Sequence, residues 1–542
     1  MIGVVLSLAL FAQTPPKPEA LMEHLGGFHR AVSTTHPLAQ KFFDQGLACI
    51  YGYQYRTALR SFKRVTELDK DCALAYWGIA YSNGPDINFP KVDDDSAKAA
   101  LAALDQADAA PHATPLEREL IAAQRLRFAL PAPKDRKLLD ANYSNAMRRI
   151  WKAHQSDPDI GAMFAEALID ERPWHQWSLE GLAQPGTLEA IETIETCLKL
   201  NPKHPMALHL CIHAVEASPH PERALKAADT LEGLQPDLGH MQHMPCHIYA
   251  RMGQWNKAIA ANERAIKREN EYMISRGVTK PIFPNVHHYG AALAFAAGMK
   301  GRSHLAISAM DTIGFSREWM AKNGSDLDTD LAMPLTVLQQ FGHWDEILAT
   351  EPFPDNLPIS QTMLYGAQTV ANSALGQLDA AKQCYQKFVE SEARVPADLS
   401  DGINLCRDIL DVEKHLCHGE ILVREDATKQ EGLKELELAV SLEDHLSYSE
   451  PPSWLMPTRH ALGAALLILG KVSEAEPVFR EQLRRTPNDG WALMGLSKSL
   501  SGQGKLKEAR RYEAQFRREW KDADITISTS CMCLEPQRKL AK

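Results

Sequence analysis

The stretch QPGTLEAIETIETCLKLNPKHP, residues 184–205, decides the fold, because its small residue Ala190 recurs at a fixed distance along the chain. Ala224, in SPHPERALKAADTLEGLQP, and Ala258, in GQWNKAIAANERAI, follow it at two equal intervals. Apolar residues follow a helical spacing in each stretch, and glycines and prolines separate the stretches. A small residue that returns once per helix pair marks the place where two helices touch. The sequence therefore predicts an array of helical hairpins.

The same register returns in other parts of the chain. Ile347 and Ala381 are separated by the same interval, as are Ala475 and Ala509, and the stretch FDQGLACIYGYQYRTALRSFKRV, residues 43–65, fits the same frame. The interval matches the 34-residue period of the tetratricopeptide repeat (TPR), whose helix pairs stack into a superhelix. The predicted fold class is all-α: a right-handed TPR-like α-solenoid of stacked helical hairpins with inserted loops.

The composition favours a folded protein that does not bind nucleic acid. Of 542 residues, 45% are hydrophobic and 24% are charged, which is typical of globular chains. The net charge is −10 and no basic run interrupts the acidic balance, so we expect no nucleic-acid partner. Beyond the N-terminus no segment is apolar over the length needed to cross a bilayer, so we expect no transmembrane segment.

The N-terminus, MIGVVLSLALFAQTPPKPEA, predicts a signal peptide and Pro-rich linker over residues 1–20. Its apolar run is too short to span a membrane and is followed by prolines, as in exported proteins. We therefore expect a periplasmic or secreted protein whose mature chain lacks the residues before about Gln13. No Lys or Arg precedes the run, which leaves a mis-assigned start or a short apolar helix, and a cytoplasmic location, as the alternative.

The interruptions of the repeat predict how the chain is divided. Ala306 follows Ala258 by clearly more than one period, so an insertion lies around GVTKPIFPNVHHYG, and ERPWHQWSLEGLAQPG forms a second one. In repeat proteins such insertions gather on one face, which is often the binding face. After residue 20 the predicted segments are an N-terminal arm with TPR-like helices at 21–156, central repeats at 157–310, further repeats at 311–400, C-terminal repeats at 401–525 and a Cys-x-Cys tail at 526–542.

Histidines occupy matching positions in two consecutive repeats. His209 and His213 form an i, i+4 pair, and His243 and His247 repeat the pair one period later. Residues at i and i+4 project from one face of a helix, so each pair can chelate one ion. Glu216, on the next turn after His213, is on the same face and is the candidate base or ligand-orienting carboxylate.

Several stretches resemble a family of bacterial, often exported, TPR proteins, and the resemblance covers nearly the whole chain. They are FDQGLACIYGY, AYWGIAYSNGPDIN, HAVEASPHPERAL, HMPCHIYARMGQW and EPPSWLMPTRHALGAALL. No activity is established for that family, so the resemblance implies the fold and the place of the site but no reaction. It also implies that the paired histidines, with His240 and His288, face the concave groove. His460 falls at the matching position of the repeat that contains Ala475.

These positions predict a transition-metal site with the ligands His209, His213, His243, His247, His240 and His288, and with His29 of the N-terminal arm as a further member. Imidazole-rich sites suit copper or zinc, with iron as a third choice. The predicted function is a TPR solenoid with a metal site in its groove, as a metalloenzyme of oxidase or hydrolase type. The alternative is a non-catalytic scaffold whose groove binds a peptide or protein. Cys531 and Cys533 form a separate pair that can oxidise or bind a soft metal.

Overall fold

The computed structural model describes residues 19–276, 284–312, 322 and 328–534. In these ranges the chain consists of α-helices, three short 3-10 helices and one ribbon of two-residue strands, which confirms the all-α TPR-like solenoid. Most of the predicted signal peptide, residues 1–18, and the end of the predicted tail, residues 535–542, lie outside the described residues.

The chain forms two compact units, and its described residues fall into both. The N-terminal unit comprises residues 19–248 and 264–276, and the C-terminal unit comprises residues 249–263, 284–312, 322 and 328–534. The finer division predicted from the repeat interruptions stays a prediction.

The N-terminal unit is a succession of antiparallel helix pairs. Its helices are α1 (Pro37–Tyr51), α2 (Tyr55–Leu68), α3 (Ala73–Tyr81), α4 (Asp94–Ala109), α5 (Pro115–Arg125), α6 (Lys137–Ala153), α7 (Pro158–Asp170), α8 (Thr187–Leu200), α9 (Pro205–Val215), α10 (Leu225–Leu231) and α11 (Gly239–His243), with a 3-10 helix at Pro221–Ala224. Residues of α12 (Pro245–Arg251) and α13 (Trp255–Ser275) belong partly to each unit.

Close approach at small residues holds these pairs together. Ala190 and Ala224 are buried, as the period predicts. A Cβ at Gly46 in α1 would lie 2.7 Å from the ring of Phe62 in α2, so only glycine fits there. Ala224 ends a 3-10 helix, so the second helix of that repeat is a 3-10 turn followed by the short α10.

The helix starts follow local signals in the sequence. Thr114 and Glu117 form a capping box at α5, and the Asp157 side chain caps α7, whose first residue is a proline. The His204 ring caps α9 in the same way by accepting a hydrogen bond from a backbone N–H. Each cap satisfies helix N–H groups that have no partner inside the helix.

The C-terminal unit continues the hairpin pattern around its own apolar core. Its remaining helices are α14 (Pro284–Met299), α15 (Ser303–Ala309), α16 (Asp328–Gln340), α17 (Trp344–Leu348), α18 (Pro358–Ala374), α19 (Leu378–Glu392), α20 (Cys406–Leu422), α21 (Lys429–Asp444), α22 (Thr458–Ile468), α23 (Val472–Arg485), α24 (Gly490–Gly502) and α25 (Leu506–Glu519), with 3-10 helices at Met310–Thr312 and Met532–Leu534. Strands β1 (Ser400–Asp401) and β2 (Asn404–Leu405) pair antiparallel. The core includes the period residues Ile347, Ala475 and Ala509.

Candidate functional site

Five histidine rings converge inside the N-terminal unit. His209 and His213 come from α9, His240 and His243 from α11, and His247 from α12, and all five are buried. Ring centroids are 4.9 Å apart for His209 and His213, 4.8 Å for His243 and His247, and 5.0 Å for His209 and His240. The ring of His213 lies 6.1 Å from that of His247, so the two predicted pairs meet in one cluster.

Three of these residues bring their ligand atoms close together. One ring nitrogen from each of His209, His213 and His240 lies within 4.8 Å of the other two. Nε2 of His209 is 3.2 Å from Nε2 of His240, and Nε2 of His247 is 2.8 Å from Nε2 of His243. This triad combines the first predicted histidine pair with His240 of α11.

Hydrogen bonds at Nδ1 fix the orientation of three rings. His209 Nδ1 lies 2.7 Å from the backbone oxygen of Tyr51, and His213 Nδ1 lies 2.8 Å from Oε1 of Glu216. His247 Nδ1 lies 2.5 Å from Oε2 of the same carboxylate. A carbonyl oxygen and an ionised carboxylate only accept hydrogen bonds, so each Nδ1 carries the hydrogen. In the neutral rings Nε2 therefore presents a lone pair, which is the form that binds metals.

The three Nε2 lone pairs, on His209, His213 and His247, outnumber the ring N–H groups that can donate to them. His240 can donate from Nε2 to His209, and His243 can donate from Nε2 to His247. Nε2 of His213 is buried and has no hydrogen-bond partner among the described residues. A buried acceptor without a donor is costly, so this nitrogen favours a bound ion or a proton.

Charge in the cluster is concentrated on Glu216. Burial opposes its ionised form, but the field of His247 and the hydrogen bonds from His213 and His247 outweigh burial and hold the Glu216 pKa well below its usual range. Burial and the nearby His213 lower the pKa of His209 well below its usual value, so His209 is neutral. A neutral imidazole beside a carboxylate-oriented imidazole is the arrangement that metal-binding histidines use.

Two aromatic residues with unusual backbone conformations enclose the cluster. The Tyr53 ring lies 4.4 Å from that of His209 and 5.6 Å from that of His240, and the Trp174 ring lies 5.5 Å from that of His213. Tyr53 and Trp174 have φ of 53° and 62°, in the left-handed region that disfavours bulky residues. Such strain persists where the surroundings impose it, often at functional sites.

Sequence reasoning did not assign Tyr51, Tyr53 or Trp174 to the site. Trp174 lies in the predicted insertion ERPWHQWSLEGLAQPG, which does border the cluster. Tyr51 and Tyr53 end the stretch FDQGLACIYGY, which was used for the repeat register and the family resemblance but not for the site.

Two predicted members are not among these five histidines. The N-terminal arm does fold back, since the Phe28 ring packs 5.2 Å from that of Tyr51 and Arg30 Nη1 lies 2.7 Å from Oδ2 of Asp159. His29 itself hydrogen-bonds Asp44 at 2.8 Å and leaves 60% of its side chain exposed. His288 lies half-buried on α14 in the C-terminal unit.

Pro245 separates the second histidine pair. Helix α11 ends at His243 and α12 begins at Pro245, because proline lacks the N–H that would continue the first helix. His243 and His247 therefore lie on two successive short helices. Their rings still meet, at the Nε2 separation given above.

Comparisons with known proteins give distant likenesses only. The sequence matches no known family, and no curated protein matches it. Human IFIT1 in a dimer with m7Gppp-AAAA is 12% identical, over 90% of this chain and 91% of that chain, with a TM-score of 0.32. Yeast Tom70 is 11% identical, over 88% and 89%, with a TM-score of 0.27. The Cut9–Hcn1 hetero-tetramer of the APC/C is 12% identical, over 91% and 78%, with a TM-score of 0.31. At these values the likenesses carry no argument about function.

Among the described residues, none of the helices combines the length and the apolar character that crossing a bilayer requires.

Proposed function

We propose that the protein is a non-catalytic α-solenoid whose N-terminal unit is stabilised by one transition-metal ion, held by His209, His213 and His240. The observation that carries the proposal is the convergence of three imidazole nitrogens within 4.8 Å of one another. Metal–nitrogen bonds of about 2.0–2.1 Å place neighbouring ligands roughly 3.4 Å apart, so shifts of about 1 Å complete the site.

The donor set selects the class of metal. Three neutral imidazoles suit zinc or copper, with iron third, and carboxylate-preferring calcium and magnesium do not fit such a set. His247 and Glu216 support the ligands, since Glu216 accepts hydrogen bonds from His213 and His247 at its two oxygens. Glu216 is therefore a positioning residue for the rings in this proposal.

Burial of the triad favours a structural ion over a catalytic one. His209 is fully buried and His213 and His240 are 3% and 6% exposed, so a substrate has no open approach to the ligands. A structural metal contributes its binding free energy to folding. The oxidase or hydrolase reading, with Glu216 as base, loses its support because both oxygens of Glu216 are engaged inside this closed cluster.

Metal analysis of full-length protein purified without a histidine tag tests the proposal. We expect about one equivalent of zinc or copper after loading and dialysis, and we expect the triple substitution His209→Ala, His213→Ala and His240→Ala to abolish it. The matched control is His204→Gln, because His204 is also buried and caps α9 but bonds Asp159 at 2.8 Å. Protein that takes up no zinc or copper, or a triple variant that keeps the ion, removes the proposal.

A second candidate function is the binding of a peptide or protein segment by the C-terminal unit. A cavity of about 200 Å³ there is lined by Arg251, Trp255, Tyr448, Trp454 and Arg459. Nε1 of Trp454 is buried and has no acceptor among the described residues. The lining also includes Glu443 and Asp444, and Asp444 pairs with Arg459, so the cavity does not select for charge. The unsatisfied N–H donor suits a peptide segment, because a backbone carbonyl could accept that hydrogen.

A fluorescence-anisotropy titration with a labelled pool of peptides of mixed composition tests this second function. We expect saturable binding that Trp454→Phe weakens about tenfold, since the substitution removes one buried hydrogen bond and keeps the ring. Binding that is absent, or equally strong in the variant, contradicts it.

We also propose that the chain belongs to the exported TPR family it resembles and is cut near Gln13. The apolar N-terminal run supports this. Intact-mass measurement on native protein tests it, since an uncut N-terminus contradicts export by this route.

A further inference from the structure

The end of the described chain is packed into the C-terminal unit. The 3-10 helix Met532–Leu534 contacts α16, α18 and α22, and Cys531 and Cys533 are 4% and 1% exposed. Arg424 donates to the backbone oxygen of Cys533, and the Ser530 hydroxyl donates to the backbone oxygen of His460 at 2.8 Å. The two cysteines are therefore held at a defined place in the unit, where they form a disulfide.

A buried carboxylate faces this cysteine pair. Glu420, on α20, is fully buried, and one of its oxygens lies within 4.8 Å of both sulfur atoms. Among the described residues neither carboxylate oxygen of Glu420 has a hydrogen-bond partner. Leaving both oxygens of a buried carboxylate unsatisfied is costly, so the arrangement points to a group that is absent when the sulfurs are bonded to each other.

We propose that Cys531, Cys533 and Glu420 form a second metal site, which opens on reduction of the disulfide and takes a thiophilic divalent ion such as Zn²⁺. Two thiolates and a carboxylate are a donor set that zinc accepts. The site shares no residue with the histidine triad, so it does not rest on the function proposed above.

Zinc enters the site in two steps, reduction of the disulfide and then binding of the ion. A dithiol reductant supplies two electrons and two protons, the Cys531–Cys533 bond breaks to give two thiols, and the reductant becomes a disulfide. Zn²⁺ then binds both sulfurs and the ionised Glu420, and the two thiol protons are released to solvent. Zinc undergoes no redox change in either step.

Zinc-uptake measurements on the full-length chain test the proposal. Chelator-stripped protein is treated with or without a phosphine reductant, which opens the disulfide as it takes oxygen from water. We expect one additional equivalent of Zn²⁺ in the reduced sample. The double substitution Cys531→Ser and Cys533→Ser should abolish it, and Glu420→Gln should weaken it at least tenfold. Cys406→Ala is the matched control, because Cys406 is a buried free thiol on α20, the helix that also carries Glu420.

Substitution of Co²⁺ for Zn²⁺ gives a second readout. Bound cobalt should show a thiolate-to-metal charge-transfer band in the near ultraviolet in the reduced wild type only. Triple replacement of the histidine triad should leave this band and the reductant-dependent equivalent intact, which separates this site from the other. Zinc uptake that is independent of reductant, or retained in the double serine variant, overturns the proposal, as does Glu420→Gln binding as tightly as wild type.

Discussion

The two units place histidines at the same repeat position but give them different partners. In the N-terminal unit, His209 turns Nδ1 to the backbone oxygen of Tyr51 and Nε2 to Nε2 of His240. In the C-terminal unit, Nε2 of His460 lies 2.6 Å from Oδ2 of Asp489. Asp489 also caps α24 and accepts a hydrogen bond from Gln482, so the carboxylate that faces His460 is itself held by protein partners. A repeat position thus does not determine chemistry: His460 pairs with a carboxylate that other protein groups also hold, whereas His209 pairs with a backbone carbonyl and another imidazole.

The largest expected effect is that removal of the metal destabilises the N-terminal unit and leaves the C-terminal unit unchanged. If free Zn²⁺ exceeds its dissociation constant about 1,000-fold, the ion stabilises the folded state by about 4 kcal/mol, and chelation removes that amount. Hydrogen exchange should therefore accelerate in α9, α11 and α12 after chelation, under oxidising conditions, and stay unchanged around His460. Equal protection from hydrogen exchange in α9, α11 and α12 with and without chelator would contradict this difference between the units.

Removing the hydrogen bond between His460 and Asp489 should destabilise the C-terminal unit without changing the metal content. His460→Ala leaves the buried Asp489 carboxylate with one donor fewer, at a cost of about 2–3 kcal/mol. Urea unfolding measures the loss, and zinc content measured on the same sample should equal that of wild type. A variant that loses zinc would show that His460 contributes to binding.

Two buried aspartates should respond in opposite directions to the same substitution. Asp86 accepts backbone hydrogen bonds from Asn88 and Phe89, and burial raises its pKa to about 6. Its ionised form therefore destabilises the fold: this penalty is absent below about pH 4, grows between about pH 4 and 6, and levels off above pH 6 at about 3 kcal/mol at most. Asp86→Asn keeps the accepting oxygen, so we expect it to stabilise the protein at pH 7 and to have no such effect at pH 4.

Asp489→Asn is the counterpart of that substitution. It removes the charge that His460 and Gln482 face, so we expect destabilisation of about 1–3 kcal/mol at pH 7. Unfolding curves of the two variants at both pH values check the pair of signs. A change in unfolding free energy of the same sign at pH 7 in both variants would contradict the stabilising role assigned to His460.

The smallest effect is expected at His29. Its side chain is largely exposed and bonds Asp44, and exposed pairs of this kind contribute about 0–1 kcal/mol. His29→Ala should change the unfolding free energy by less than about 0.5 kcal/mol and leave the metal content unchanged. Loss of the ion in this variant would return His29 to the site.

The parts of the molecule that follow the repeat period could be predicted from the sequence. Ala190 and Ala224 are buried because each repeat needs a small residue where its helices touch. The convergence of His209, His213, His243 and His247 follows from the same register, because residues one period apart lie side by side on neighbouring repeats.

Features that depend on non-repeating segments could not be predicted in this way. Tyr51 bonds His209 across a long stretch of chain, and nothing in the spacing of either residue encodes that contact. The left-handed backbone of Tyr53 and Trp174 arises in connections between helices, where no periodic pattern applies. The direction of the His29 side chain in the N-terminal arm depends on Asp44, which the repeat does not place.

The position of Trp174 gives the histidine cluster an optical signal of its own. The indole ring lies 5.5 Å from the ring of His213, edge to face. A paramagnetic ion such as Cu²⁺ bound at His213 would quench the fluorescence of this indole, whereas closed-shell Zn²⁺ would not. Emission that dims on adding Cu²⁺, recovers on chelation and is insensitive in a Trp174→Phe variant would report occupancy directly, with no label attached to the chain.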